Sequence, residues 1–163
     1  MPWLFLLPSA AAYVYYTPDA LLAELFPAGE HIESWTPDAD DKAGIEATLG
    51  YKLPKATWDI HVGTDGHYAI LDQQLGQHEP IDFGVLLDGQ ATVVRVEILA
   101  YREAYGDGVR SPVFRQQFAG LGPSAPMRPG KDIKIVSGAT ISTRSISTGV
   151  RRAAVVLAAW LRR

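Results

Sequence analysis

The chain of 163 residues has no cysteine. That absence removes disulfides, thiol redox chemistry, thiolate-held zinc and cysteine-ligated iron–sulfur clusters. A redox role would therefore need a borrowed cofactor. Positive charge is also short: 15 Lys and Arg face 18 Asp and Glu, leaving a formal net charge of −3 with His neutral. The broad positive field that non-specific nucleic-acid binding requires is missing, so no nucleic-acid partner is expected. No apolar run reaches the roughly 20 residues of a membrane-spanning helix. The nearest, residues 2–16, reads as an export signal with small residues at Ser9 to Ala12 for cleavage after Ala11 or Ala12, although no Lys or Arg precedes it. An uncleaved interfacial anchor and a buried N-terminal segment are the other readings. The expected location is periplasmic or otherwise extracytoplasmic, with the N-terminal segment as a candidate membrane anchor.

What is present suffices for one domain, since 47% of residues are hydrophobic and a chain of this length buries one ordinary core. The division expected is an apolar segment at 1–16 and a domain at 17–163. "YTPDALLAELFP" opens with Thr17 as a helix cap, Pro18 at the first helical position and Asp19 at the positive helix end, and Pro27 closes it. The T-P-D opening recurs in "WTPDADDKAGIEATLGYKLP", which predicts a second helix from about Pro37 to Leu49 ending at Gly50, with shared capping chemistry. From Ala56 the pattern alternates. Hairpins are predicted with turns at Asp65-Gly66 and Asp88-Gly89, giving four antiparallel strands, and "EHIESW" is a candidate fifth. A glycine-bearing loop leads to a short helix around Pro112 to Phe118, and a proline-rich connection follows. A long helix from about Ala139 to Leu161 carries Ile146, Val150, Ala153, Leu157 and Leu161 on one stripe. Arg151, Arg152, Arg162 and Arg163 lie off that stripe and read as a solvated face. The fold class is α+β, with a central antiparallel sheet, flanking N-terminal helices and a long C-terminal helix.

The chemistry concentrates in "IVSGATISTRSISTGV", Ile135 to Val150, where hydroxyl side chains crowd the start of that helix. Free backbone N–H groups and the helix dipole favour a phosphate at such a place. Gly138 permits close backbone approach and Ala139 keeps the adjacent space small. Thr140 then stands on the first turn, where its hydroxyl can cap the helix, hydrogen-bond a phosphate or be esterified by one. The competing reading takes Ser137 as a plain N-cap.

"SGAT" followed by Ile-Ser resembles the flavinylation motif of the FMN-binding domain family. That family includes the flavin-carrying subunits of sodium-pumping NADH:quinone oxidoreductase and of Rnf complexes, and small exported FMN-binding proteins. "YTPDALLAELFPAGEHIE", "LGYKLP", "GQHEPIDFGVLLDGQ", "EILAYREAYGDGVRSPVFRQQFAG" and "KDIKIVSGATISTRSISTGVRRA" follow in the order of the small-protein branch. The resemblance implies FMN held through a phosphodiester bond to Thr140, installed by a separate flavin transferase, with Thr143 and Ser142 as lesser acceptors. Lys134 departs from the pattern, standing three residues before Ser137 where the family has Asp; it either hinders attachment or neutralises the phosphate. His78 and Glu79 of "QHEP" are placed near the flavin or in a polar turn. Tyr101 is a candidate for stacking on the flavin ring, and Arg102 or Arg110 for its phosphate or pyrimidine end. Phe114 and Phe118 form an apolar wall or belong to the core, and Glu103 and Arg110 are candidates to pair across their loop.

The function implied is electron transfer between a redox donor and an acceptor protein, by a carrier more than a stand-alone enzyme. The alternative is a non-catalytic binding or sensory module that binds FMN reversibly or not at all. Other chemistries have less support. His61 and His67 are placed to approach each other across a hairpin, but no carboxylate completes a metal site, so the histidines read as surface residues. "SGATIS" is not a hydrolase nucleophile elbow, and the four Trp residues are scattered.

Overall fold

A computed structural model describes residues 13–163, so the proposed cleavage region and the stretch before it lie outside the described residues. The folded unit nonetheless takes in Tyr13–Tyr16. Strand β1 (Tyr13–Val14) pairs with the strand ending at Tyr101, and the Tyr15 and Tyr16 amides both donate to the Leu99 carbonyl.

Helix α1 (Pro18–Leu25) starts as its sequence dictates, with Thr17 Oγ1 accepting from the Ala20 amide at 3.2 Å and Pro18 in the first turn. Helix α2 (Ala39–Leu49) ends at Gly50, whose φ of 84° is the left-handed conformation glycine adopts without strain. The T-P-D echo does not extend to its cap. Asp38, not Thr36, accepts from the Asp41 amide at 2.8 Å, and Thr36 meets the Thr57 hydroxyl at 2.9 Å. Asp caps a helix as well as Thr does, and Asp40 and Asp41 then add charge to the positive end.

The remaining strands are β2 (Glu30–Trp35), β3 (Trp58–Gly63), β4 (Tyr68–Leu75), β5 (Pro80–Leu87) and β6 (Val93–Tyr101). All neighbours are antiparallel in the order β1-β6-β5-β4-β3-β2. Both predicted hairpins form. At the second, the Asp88 carboxylate accepts from the Gln90 and Thr92 amides, each at 2.9 Å, and so fixes the loop. Helix α3 (Pro112–Arg115) runs into a short 3₁₀ turn, and Phe114 and Phe118 meet edge to face within the core at 5.5 Å. They form no ligand wall. Helix α4 (Thr140–Leu161) is 22 residues long.

The sheet is apolar on both faces. Ala69, Leu71, Leu86 and Leu99 pack with Leu21, Leu22 and Leu25 of α1, while Ile70, Ile81, Phe83, Val85 and Ile98 belong with the α4 stripe of Ile146, Val150, Ala153 and Leu157. Period-two alternation along β4 and β5 divides the two sets. Close packing of α4 requires Gly149, because a Cβ there would lie 2.3 Å from Phe83 Cζ. The α+β architecture read from the sequence is the one found.

Two arginines of α4 depart from the solvated-face reading. Arg152 is 2% exposed and reaches Asp72 with Nε at 3.0 Å and Nη2 at 2.8 Å, and Gln74 Oε1 at 2.8 Å. Arg151 donates to the Thr48 and Leu49 carbonyls, which end α2 without intrahelical partners. Desolvated guanidinium groups need such partners, and β4 and the end of α2 supply them from far along the chain.

Candidate functional site

The first turn of α4 opens onto a cavity of about 590 Å³, within the roughly 300–1,000 Å³ of small-molecule sites. Its walls come from three segments: Gln77 and His78 between β4 and β5, Glu103–Gly106 after β6, and Gly138–Ser142. The chain enters α4 through Gly138, at φ 76°. Ala139 occupies the N-cap position and supplies no side-chain cap. The reading of Ser137 as the N-cap is therefore corrected: Ser137 is exposed and lies two residues too early.

The consequence is electrostatic. The first helical hydrogen bond runs from the Thr143 amide to the Ala139 carbonyl at 2.9 Å, so the Thr140, Ile141 and Ser142 amides precede it. These donors, at the positive end of a long helix and beside an exposed threonine hydroxyl, suit a phosphate. The residues present therefore fit the phosphate end of a flavin mononucleotide. Thr143 is fully buried and its Oγ1 accepts from the Val136 amide at 3.3 Å. Ser142 is buried too, hydrogen-bonded to the Tyr101 hydroxyl at 2.7 Å. Both lesser acceptors are thus engaged, and Thr140 is the threonine left in the open.

The Tyr101 hydroxyl donates to the Tyr105 carbonyl, which leaves Ser142 as donor in their shared bond. Burial raises the tyrosine pKa, with the Ser142 hydrogen bond working the other way. This buried pair ties the end of β6 to the first turn of α4. Gly106 fits against it, with φ 92°, and a Cβ there would lie 2.6 Å from Tyr101 Oη and 2.9 Å from Ser142 Oγ. Across the cavity, Glu103 Oε1 accepts from the His78 amide and, at 2.9 Å, from the Glu79 amide. Partial burial disfavours its charged form, but these amide bonds and the His78 charge outweigh that, and the carboxyl lies below its ordinary value. Glu103 thereby clamps the loop of His78 and Glu79 to the end of β6.

The structure brings together Gly138, Ala139, Thr140, Ser142 and His78 as cavity walls. Glu79 borders the site through its clamped amide. The other candidates do not line the cavity. Tyr101 is buried in the core, so its ring does not serve as a stacking platform and only its hydroxyl approaches the site. Arg102 pairs with Asp82 through Nη1 at 3.1 Å and Nη2 at 2.6 Å and lines a separate cavity of about 580 Å³ beside α1. Arg110 lies with its guanidinium 3.8 Å from the Tyr15 ring centroid. The Glu103–Arg110 pairing is corrected on the same grounds, since both side chains have other partners. Lys134 does not line the cavity. Its backbone is bracketed by Gln117, which accepts from the Lys134 amide at 2.7 Å, while the side chain is exposed.

Gln77, Ala104, Tyr105, Gly106 and Ile141 are the walls that were not singled out, and Glu103 was read with the wrong partner. The signal for Glu103, Ala104, Tyr105 and Gly106 lay in "YREAYGDG", whose Gly106 marks a left-handed turn. Among the described residues no group of His, Asp and Glu could hold a metal ion. His61, expected at the surface, is buried with Nδ1 3.2 Å from Glu30 Oε2, and it pairs in register with Ala69.

Residues 76–155 match the family model of the FMN-binding domain. The match spans the clamped loop, β5, β6, the glycine-bearing loop and most of α4, which includes every wall of the cavity. The match supports an assignment to the FMN-binding domain family, and with it FMN binding. No curated protein matches the chain.

Proposed function

We propose that this protein carries FMN covalently at Thr140 and passes electrons between a redox donor and an acceptor protein outside the cytoplasm. One observation carries the reading: an exposed threonine hydroxyl begins a long helix that lacks a side-chain cap and opens onto a ligand-sized cavity. FMN, when bound, supplies the one- and two-electron chemistry that a chain without cysteine lacks. Attachment forms a bond from Thr140 Oγ1 to the flavin phosphorus. The hydroxyl gives up its proton, and the leaving group of an activated flavin phosphate, brought by a flavin transferase, departs with the electron pair. The amides of the first turn of α4 hold the phosphate oxygens, and the Glu103 clamp orders the opposite wall.

A phosphodiester retains the flavin where free FMN is scarce, so a tight enclosing pocket is unnecessary. The open cavity is consistent with that demand. Co-expression with a flavin transferase, followed by denaturing electrophoresis, is the test. A fluorescent band and an intact mass increased by the flavin phosphate are expected, both lost in Thr140→Ala. A dark wild-type band with the mass of the bare chain would sink covalent attachment. Yellow protein that loses its colour on denaturation would establish reversible binding in its place.

A further inference from the structure

Buried serines further along α4 spend their protons on backbone carbonyls: Ser145 donates to Leu75 at 2.7 Å, and Ser147 to Thr143, one turn back, at 2.7 Å. Ser142 differs. Its partner is another hydroxyl, that of Tyr101, 41 residues earlier in the chain and 2.7 Å away. A backbone carbonyl has no proton to give, so the Tyr101 hydroxyl must donate to Tyr105 and can only accept from Ser142. The direction of both protons is thereby fixed, and the Ser142 proton depends on a side chain that substitution can remove.

The pair is held in that arrangement by burial. Tyr101 is 1% and Ser142 5% exposed, so a hydroxyl that gave up its bond would be left without a partner. Ser142 is nevertheless a wall of the Thr140 cavity. A serine hydroxyl carries one proton and two lone pairs. With the proton turned to Tyr101, only lone pairs remain for the cavity, and these repel an anion. Thr140, two residues earlier, is exposed and stands beside the amides that precede the first helical hydrogen bond. The two hydroxyls at the start of α4 therefore differ in what they offer a phosphate.

We propose that Tyr101 is a positioning residue which, by holding the Ser142 proton, keeps an anionic phosphate off the Ser142 hydroxyl and leaves it to Thr140 and the first-turn amides. The inference rests on the phosphate reading of this site and deepens it, because it names the residue that decides which hydroxyl the phosphate meets.

Inorganic phosphate is titrated at constant ionic strength into the isotope-labelled full chain, with the Thr140, Ile141 and Ser142 amide resonances as the readout. Tyr101→Phe keeps the buried ring and frees the Ser142 proton, so phosphate should bind about three- to tenfold more tightly through a new charge-assisted hydrogen bond. Adding Ser142→Ala to that variant should remove the gain. Ser142→Ala alone takes away the lone pairs while Tyr101 stays bonded to Tyr105, and should tighten binding about twofold. Circular dichroism confirms the fold of each variant. A merely structural role for Tyr101 has the opposite sign, since loosening the first turn weakens binding. Equal or weaker binding in Tyr101→Phe overturns the proposal, and so does phosphate that shifts these amides in none of the proteins. Should Tyr101→Phe not fold, Ser142→Ala decides: equal or weaker binding than wild type overturns the proposal. Flavin attachment is read separately on the denaturing gel. A phosphate gain in a protein whose wild type never acquires flavin defeats the attachment reading alone, and a flavinylated wild type without the gain in Tyr101→Phe defeats this one alone.

Discussion

The first turn of α4 and its middle belong to one helix and are built to opposite ends. At Thr140 and Ile141 the side chains are exposed, no side chain caps the backbone and a cavity adjoins. Two turns on, Gly149 presses against Phe83, and Arg152 is buried against Asp72 and Gln74. Helical stability in proteins comes mostly from tertiary packing of this kind rather than from the ends. The middle can therefore hold the helix rigid while the first turn keeps its amides and hydroxyl free for a ligand. Helices α1 and α2 show the alternative, each with its own Thr17 or Asp38 side chain accepting from an amide of the first turn.

This division of labour can be broken from either side. Thr140→Ala should remove all covalent flavin while changing stability by less than about 0.5 kcal/mol, as exposed substitutions do; gel fluorescence and urea unfolding read the two separately. Arg152→Met should do the reverse. It leaves the Asp72 carboxylate buried with Lys55 alone, whose Nζ lies 2.9 Å away, and should cost about 3–5 kcal/mol of stability. Flavin attachment should persist in the fraction that remains folded. Gly149→Ala drives a methyl into Phe83 and should cost about 1–3 kcal/mol by urea unfolding, again without loss of attachment. If it abolished flavin in fully folded protein, the two halves of α4 would not be independent.

The smallest effect is a pH dependence at the clamp. The Glu103 carboxyl is held below its ordinary value by the amides it accepts from, after burial is overcome. Its contribution is complete above the unfolded-state value of about 4.3 and is lost as pH falls through the lower folded-state value. Hydrogen exchange at the His78 and Glu79 amides should therefore accelerate in that acid window relative to the sheet amides. Glu103→Gln should remove the pH dependence of this difference. Unchanged exchange in the variant at every pH would mean that the carboxylate does not hold the loop.

Much of the frame was legible because its signals are local. Thr17-Pro18-Asp19, the turn at Asp65-Gly66 and the stripe Ile146, Val150, Ala153 and Leu157 are each read within a few residues, and each forms as read. The cap of α2 was misread because Thr36 and Asp38 are both competent caps two residues apart, and the choice depends on Thr57 from another segment. The site was legible in part for the same reason. Gly138, Ala139 and Thr140 are adjacent in sequence, so their joint presence at one helix start needs no folding to be seen. The side chains assigned to the flavin ring failed where assignment required knowing which face of β6 was buried. Tyr101 points into the core and Arg102 to the Asp82 side, as neighbours on a strand must.

The sequence by itself determined the antiparallel strands, the long terminal helix and the threonine at its first position, because periodicity, turn chemistry and the S-G-A-T order are properties of neighbours. Only the tertiary structure decided that α4 would start uncapped beside a cavity, that Glu103 would clamp a loop 24 and 25 residues earlier in the chain, and that Arg152 would be buried against a partner 80 residues away. Those outcomes depend on desolvation. A charge or amide removed from water must take whatever partner the packed sheet brings to it, and sequence distance does not record that partner.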